Sequence, residues 1–445
     1  MMADGVASPS SGSVPNHGNT TRDRVMQAIA GCLGLMLMFC NMENNSRVGR
    51  VAFTVAAIGL SFWSLHVGWL GGRHLRRFLP PVVVVLAAML ASSIFSIDPG
   101  FSLNTLFRQH VWFLMLFLAV GAWSSIPRHQ LHFLRGLLVA AGFASSAGVL
   151  LYYFAHDLQR LGYIGKASRF VYTAQDAEGG TYYRAAGLME SYTRSAMVYI
   201  IAMPAIVALF TDAWRKGRRI EMGACVVVFA MAGWYLLLTK ARGAWLATGG
   251  ACFLTMILLR YKWWLLSVLP ILAVVALAVL PSERERALTL FRHLSDPNLV
   301  LSGRLELWSL GYRPIAENPL VGVGYGGNIF LTKAGIARYE LRSVNHRQPD
   351  LHNLYLQTIA EVGILGAVAY AWFLLLVLRC GIRALRREWR QPQYIGLAPA
   401  MAAMAAMLVV GAVYYMNEDH VAQIWWATTG LIAGACAQRK ERQVP

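Results

Sequence analysis

Residues 219–260 read RIEMGACVVVFAMAGWYLLLTKARGAWLATGGACFLTMILLR, and this stretch decides the fold. Two apolar runs, 221–239 and 243–260, are separated by the short turn Thr239-Lys240-Ala241-Arg242-Gly243. Each run has close to the ~20 residues that a helix needs to cross a bilayer. A turn this short makes the two helices antiparallel neighbours. The stretch therefore predicts a helical hairpin that crosses a membrane twice.

The rest of the chain has the same character. Of its 445 residues 57% are hydrophobic and 14% are charged, against ~45–50% and ~25% in a soluble domain. This composition excludes a soluble globular protein, a disordered chain and a disulfide scaffold. We predict an all-α polytopic membrane protein with about twelve transmembrane helices. The apolar runs are 25–42, 50–71, 79–97, 104–124, 131–155, 194–213, 221–239, 243–260, 263–281, 352–379, 395–416 and 419–437.

Basic residues set the orientation of these spans. Lys and Arg total 40 against 22 Asp and Glu, a formal charge of +18. In a twelve-span arrangement, the Arg-rich short connections all fall on the side that also carries both termini. By the positive-inside rule that side is cytoplasmic. The predicted divisions are a disordered N-terminus (1–21), spans one to nine (22–281) with an outer loop at about 156–193, a long outer loop (282–351), spans ten to twelve (352–438) and a cytoplasmic tail (439–445).

The two long outer loops also contain many basic residues, which topology does not explain. Binding of an anionic substrate would explain them. The second loop includes an amphipathic pattern over 303–314 and predicts a surface helix, with Leu305, Trp308, Tyr312 and Ile315 on one face. The glycines that follow, up to Gly326, favour a flexible loop, with phosphate binding by backbone amides as the alternative.

Three positions put a strong polar group at the outer edge of a predicted span: Arg184 before the sixth, Lys240 and Arg242 in the turn after the seventh, and His352 at the start of the tenth. Arginine offers a rigid fork of donors that matches phosphate oxygens. The alternative for any one arginine is an interfacial side chain that reaches the lipid headgroups. Arg242 argues against that alternative, because a Lys-x-Arg in a short outer turn opposes the positive-inside trend.

His352 follows Pro349-Asp350-Leu351, and Asp350 is predicted to cap the tenth helix. This places His352 in the first turn, where the helix terminus favours a neutral imidazole that can accept a proton from a hydroxyl. Two alternatives remain open. The histidine could satisfy its own helix end, or it could join His346 and Asp350 in a metal site, although no dense cluster of ligands supports a metal.

Several of these residues, in their order along the chain, resemble the O-antigen ligase and polymerase superfamily of bacterial inner membranes. The similarity lies in Gly303-Arg304, Trp308, the run Asn318-Pro319-Leu320-Val321-Gly322-Val323-Gly324, and His352-Asn353 followed by Leu356. Within this superfamily, ligases move O-antigen from undecaprenyl diphosphate to lipid A-core. Polymerases move it to another lipid-linked glycan, and related enzymes move it to protein hydroxyls.

The resemblance implies a metal-independent, inverting glycosyltransferase of the inner membrane, whose outer face is periplasmic and which needs no cofactor. It implies that His352 is catalytic and that Arg184 and Arg242 bind the donor diphosphate. We further predict that Lys240 and Arg304 bind the diphosphate and that Asp350 and Asn353 support the site. Many members have Ser or Thr where this chain has Lys240. The expected partners are an undecaprenyl-diphosphate-linked O-antigen donor, a lipid A-core acceptor and membrane lipids, with no nucleic acid, and the chain is expected to be a monomer.

Ligase is preferred over polymerase because the basic outer face suits a phosphorylated lipid A-core acceptor. A protein O-oligosaccharyltransferase remains an alternative within the superfamily. The alternative from another class is a twelve-span secondary transporter. Transporters place ionisable groups near the bilayer midplane, whereas here Arg108 and His110 lie near one end of the fourth predicted span and few others, such as Glu361, lie inside a span.

Overall fold

The computed structural model describes residues 75–125, 127–160, 171–175, 181–189, 191–260, 304–326, 329, 332–339, 351–388, 396–414 and 419–436. The α-helices in these ranges are α1 (Leu79–Ile94), α2 (Pro99–Thr105), α3 (Val111–Ser124), α4 (Pro127–Arg160), α5 (Tyr192–Arg215), α6 (Arg219–Leu238), α7 (Arg242–Leu258), α8 (Arg304–Glu317), α9 (Lys333–Tyr339), α10 (Leu354–Glu388), α11 (Leu397–Val410) and α12 (Asp419–Ala435). A π-helix at Leu106–His110 joins α2 to α3. Short 3-10 helices occupy Leu75–Phe78 and Gly187–Met189.

The prediction of a largely helical polytopic membrane protein is confirmed in its coarse form. Among the residues described, six helices are long and apolar enough to cross a membrane, and α7 and α11 are shorter apolar helices. The predicted spans 25–42, 50–71 and 263–281 lie outside the described residues, as do 1–21 and 439–445. The count of twelve spans and the proposed divisions of the chain therefore remain predictions.

Burial separates inner helices from outer ones. The helices α5, α11 and α12 are buried along most of their length, and Trp425 and Trp426 of α12 are completely enclosed. The outer helix α6 instead exposes Ile220, Val226 and Val227, with 92% of Ile220 accessible. Apolar side chains on the outside of a helical bundle are what lipid contact requires.

The sequence predicted an all-α chain, but the structure also contains two β-strands in the residues described. Val171–Gln175 (β1) and Thr181–Ala185 (β2) form an antiparallel hairpin in the first long loop, with Tyr172 opposite Arg184. This part of the loop contains threonine and tyrosine, which favour strands. The sequence predicted an outer loop over these residues and no strands there.

The longest helix, α10, is interrupted at Gly363, where φ is 65° and ψ is −175°. Such an interruption leaves backbone groups without helical partners, and buried backbone groups require hydrogen bonds. The segment Asn318–Gly326, called the glycine segment below, supplies them. Its bonds to α10 run from Val323 N–H to Ala360 O (2.9 Å), from Gly324 N–H to Glu361 O (3.1 Å), from Ile364 N–H to Pro319 O (2.8 Å) and from Leu365 N–H to Leu320 O (3.3 Å).

The prediction that the glycine segment is a flexible surface loop is therefore wrong. Residues 322–326 are buried, and Gly322 and Gly363 pack backbone to backbone. A Cβ on Gly363 would overlap the Leu320 carbonyl, and one on Gly322 would overlap the Glu361 carbonyl. Glycine is needed at both positions because both have positive φ and because any side chain would separate the two segments.

The predicted surface helix is present as α8, but its predicted apolar face packs only in part, through Ile315. Tyr312 is 63% exposed and Leu305 is 36% exposed. The buried face runs through Leu307, Gly311 and Pro314, and Leu351 packs at Gly311. A small residue at position 311 lets the chain before α10 approach closely, and this contact draws α8 toward the bundle.

Ion pairs gather at the turn between α5 and α6. Asp212, almost fully buried, contacts Lys216 at 2.8 Å and also pairs with Arg218. Glu221 binds Arg135 of α4 at 3.0 Å and Arg218 at 2.6 Å. We call these five residues the Asp212 cluster. The cluster ties α4, α5 and α6 together at one end of the bundle.

Candidate functional site

A four-residue turn, Gly411–Tyr414, follows α11 at the other end of the bundle, and we call it the Tyr414 turn. Its first residues continue the helical pattern, with Gly411 N–H bonded to Met407 O at 2.8 Å. The Gly411 carbonyl accepts a hydrogen bond from Leu354 N–H at 2.7 Å. The first residue of α10 is thereby fixed against this turn.

His352 lies beside the same turn. Its ring stacks on Tyr414, with ring centroids 6.3 Å apart and planes 10° apart. The residue is half-buried. Its φ of 47° is in the left-handed region, which residues other than glycine rarely adopt. The surrounding structure must hold this conformation in place.

The predicted cap of this helix is corrected by the structure. Asn353 is the cap, because its Oδ1 accepts hydrogen bonds from the N–H groups of Tyr355 and Leu356, both at 3.0 Å. His352 therefore precedes the helix and is not in its first turn. Asparagine caps a helix as well as aspartate does, so the sequence offered two candidates and the wrong one was chosen. Asp350 lies outside the described residues.

Arg304 approaches the Tyr414 turn from α8. Its Nε donates to the carbonyl oxygen of Val413 at 2.8 Å. Because Val413 and Tyr414 are adjacent, Arg304 and His352 are anchored on neighbouring residues of one turn. A guanidinium bound through Nε has its plane held in a fixed direction, and an oriented guanidinium is the group that binds an oxyanion best.

The turn with Lys240 and Arg242 is built by side-chain to backbone bonds. The buried Thr239 hydroxyl donates to Leu236 O at 2.6 Å, and Trp245 Nε1 donates to the same carbonyl at 2.8 Å. Lys240 has a left-handed φ of 53°, and Arg242 is the first residue of α7. These bonds define the course of the chain between two membrane helices.

This turn also lies next to the Tyr414 turn. A Cβ on Gly243 would be 3.8 Å from Val410 Cγ2, and Val410 immediately precedes Gly411. The start of α7 is thus adjacent to the end of α11. The structure therefore places the start of α7, which carries Arg242, beside the turn that anchors Arg304 and His352.

Arg184 is held separately, on the β-hairpin. Its guanidinium lies 4.4 Å from the centre of the Tyr192 ring. The hairpin is fixed to the bundle by Ser195, whose hydroxyl donates to Ala186 O at 2.6 Å and is itself hydrogen-bonded by Tyr235 of α6. Since α6 ends in the turn with Lys240 and Arg242, Arg184 lies at the same end of the bundle. It is not, however, fixed on the Tyr414 turn.

Several residues of this site were missed from the sequence. Tyr414 and Tyr192 had no distinguishing signal, because aromatic residues are common at membrane interfaces. Glu361 and Gln357 did have one, since a polar side chain inside an apolar span is a functional candidate by default. In the ranges that the structure describes, no group of three or more His, Cys, Asp or Glu residues could hold a metal ion. His346 and Asp350 are outside those ranges.

Comparison with known proteins adds one finding. A protein-family model described as O-antigen ligase matches residues 227–371. The matched region includes Lys240, Arg242, Arg304, the glycine segment and His352. Arg184 and the Tyr414 turn lie outside it. No curated protein matches the chain significantly.

Proposed function

From the match of residues 227–371 to the O-antigen ligase family model, we propose that the chain is an O-antigen ligase of the bacterial inner membrane. It transfers O-antigen from undecaprenyl diphosphate to a sugar hydroxyl of lipid A-core. The observation that carries the proposal is the convergence on the Tyr414 turn. Two arginines suited to a diphosphate and one histidine suited to a hydroxyl meet there, at a membrane-helix end.

The donor diphosphate binds the cations. Arg242 and Arg304 contact its oxygens from the starts of α7 and α8, while Arg184 and Lys240 approach from the hairpin and the α6–α7 turn. As the glycosidic C–O bond breaks, negative charge grows on the departing undecaprenyl diphosphate. Fixed guanidinium groups stabilise that charge because they are already oriented before the reaction begins. Fixed cations also take the role that a divalent metal has in other transferases, so the reaction needs no metal.

His352 acts on the acceptor. The sugar hydroxyl of lipid A-core transfers its proton to an imidazole nitrogen as its oxygen attacks the anomeric carbon. The bond to the diphosphate oxygen breaks on the opposite side, so the configuration inverts. The stacked Tyr414 ring holds the imidazole plane. Precise orientation of a proton acceptor matters because proton transfer requires a separation of about 2.6–3.2 Å between heavy atoms.

The proposed orientation places the Tyr414 turn in the periplasm and both termini and the Asp212 cluster in the cytoplasm. The arginine-rich short connections support it. In spheroplasts of a cysteine-free variant, Ala412→Cys should react with a membrane-impermeant maleimide. Arg219→Cys should react only after the membrane is opened. The reverse pattern would refute the orientation.

The function is tested by the lipopolysaccharide of a deletion strain. A ligase deletion removes O-antigen from lipid A-core and leaves polymerised, undecaprenyl-linked glycan. A single-repeat band would instead indicate a polymerase, and loss of glycan from proteins alone would indicate a protein O-oligosaccharyltransferase. Transfer by purified protein in detergent excludes a transporter, whereas solute uptake into vesicles without any glycan would support one.

A further inference from the structure

Two buried polar side chains lie one turn apart on α10. Gln357 is 0% exposed and Glu361 is 1% exposed. Buried polar groups need hydrogen-bond partners, and a buried carboxylate needs them most. Neither residue has a role in the proposed transfer, and neither lies on the Tyr414 turn. Their partners show what they hold.

The hydrogen bonds form a directed chain. Gly326 N–H donates to Glu361 Oε2 at 3.3 Å, and Gln357 Nε2 donates to Glu361 Oε1 at 2.7 Å. Leu351 N–H then donates to Gln357 Oε1 at 2.9 Å. Because the amide oxygen of Gln357 is taken by Leu351, its nitrogen must face Glu361. Glu361 must therefore present an acceptor on both oxygens.

The end of this chain is the residue before His352. Leu351 is held by Gln357, and Asn353 is held by the backbone of α10. His352, between them, has the left-handed φ of 47°. A residue in that region persists only when its neighbours fix it. The two anchors therefore determine where the imidazole points.

We propose that Glu361 and Gln357 are positioning residues for His352, and that they link its orientation to the glycine segment through Gly326. This inference rests on the proposed function, in which His352 accepts the acceptor proton. On the far side, the glycine segment is tied to the bundle by Tyr325, whose hydroxyl is 2.9 Å from His110 Nδ1. A shift of the segment would reach His352 through hydrogen bonds alone.

Exchanging the two side chains tests this directly. Glu361→Gln alone introduces an amide nitrogen that must face either Gly326 N–H or Gln357 Nε2, so donor meets donor. Gln357→Glu alone sets two carboxylates against each other. In the double variant, position 357 accepts from Leu351 N–H and from the amide nitrogen at 361, whose oxygen accepts from Gly326 N–H. Every donor of the chain is again satisfied, with the direction of one bond reversed.

The measurements are turnover, donor affinity and thermal unfolding of purified full-length enzyme with a lipid-linked donor and a lipid A-core acceptor. Each single variant should lose turnover about tenfold to a hundredfold, since a misplacement of ~1 Å can cost ~10²-fold. Donor affinity should stay unchanged, because the arginines are untouched. The double variant should recover most of the turnover. If the two side chains only contributed to packing, exchanging them would not be expected to restore turnover.

Matched controls lie at the other end of the bundle. Glu221→Gln makes the same change as Glu361→Gln at a partly buried, ion-paired carboxylate. Gln130→Glu makes the same change as Gln357→Glu, at a buried amide whose Nε2 donates to Ser124 O at 2.8 Å. Both should lower the unfolding temperature and leave turnover per folded molecule unchanged.

The possible results distinguish failure of the positioning role from failure of the proposed function. Wild-type turnover in Glu361→Gln, or a double variant no better than the worse single variant, overturns the positioning role. If a single variant does not fold, the double variant decides alone, since it must fold and turn over. Full activity of His352→Ala would instead overturn the proposed function. An inactive His352→Ala beside an exchange that gives no rescue defeats only this inference.

Discussion

The two ends of the helical bundle treat their charges differently. In the Asp212 cluster, Arg135 pairs with Glu221 of a neighbouring helix, and Lys216 and Arg218, which follow α5, pair with Asp212 of that helix. Around the Tyr414 turn, Arg184 is set against a tyrosine ring and Arg304 against a backbone carbonyl. A carboxylate locks a cation to its neighbour and cancels charge, whereas a ring or a carbonyl orients the cation. At the Asp212 cluster the ion pairs join helices, and at the other end the ring and the carbonyl orient these two arginines.

The largest effect should come from His352, because it is proposed to take part in bond making. His352→Ala should insert and fold normally and lose about 10²–10⁴-fold in turnover, the usual loss for a general base. Donor affinity should persist. Transfer rate and donor affinity, measured on purified enzyme, check both statements.

His352→Gln sharpens the result. Glutamine can hydrogen-bond the acceptor hydroxyl but cannot take its proton near pH 7. A rate as low as that of the alanine variant assigns proton transfer to His352. A rate near that of the wild type would show that the residue only orients the acceptor.

Next in size is the contrast between Arg242 and Arg218. Each charge-assisted hydrogen bond contributes roughly 1.5–3 kcal/mol, so Arg242→Ala should weaken catalysis about tenfold or more and leave the unfolding temperature nearly unchanged. Lysine should rescue only partly because it lacks the fork of donors. Arg218→Ala should do the opposite: it leaves two carboxylates with one cation fewer, so stability falls and turnover per folded molecule stays. Equal behaviour of the two variants would remove the distinction between the ends.

The sequence predicted the membrane helices well because span length and apolar composition are local properties. Nine of the twelve predicted runs coincide with described helices, and α5 begins and ends within two residues of its predicted run. It also singled out Arg242, Arg304 and His352 as site candidates, and their roles remain predictions. What it could not supply was their meeting point, because Val413 and Tyr414 acquire a role only through contacts with distant residues.

The glycine segment shows the same limit from the other side. Its glycines were conspicuous in the sequence, but a flexible loop and a tightly docked one have the same composition. The deciding partner, Gly363, lies on another helix. The predicted cap at Asp350 was wrong for a local reason, because two good cap residues, Asp350 and Asn353, lie three positions apart.

A smaller effect should come from the ring beneath Arg184. A cation–π contact contributes about 0.5–1 kcal/mol at an exposed site, so Tyr192→Leu should lower donor affinity only about two- to fivefold. Tyr192→Phe keeps the ring and should bind like the wild type. At the opposite end, Arg77 lies 4.9 Å from the centre of the Phe78 ring. Phe78→Leu should cost stability and spare donor affinity. A loss of donor affinity in Phe78→Leu would contradict the division of roles.

The smallest effect, none at all, is expected from metal removal. Mg²⁺ needs several oxygen ligands, usually including carboxylates, and the groups that converge on the Tyr414 turn are two guanidiniums and an imidazole. Cations that are already in place would repel a divalent ion from the diphosphate. Among the carboxylates that the structure describes, Asp212, Glu221 and Glu317 are ion-paired, and Glu361 accepts from Gln357 and Gly326. Purified enzyme in excess EDTA should therefore transfer glycan at its usual rate. A loss that Mg²⁺ or Mn²⁺ restores would mean that the arginines assist a metal and do not replace it.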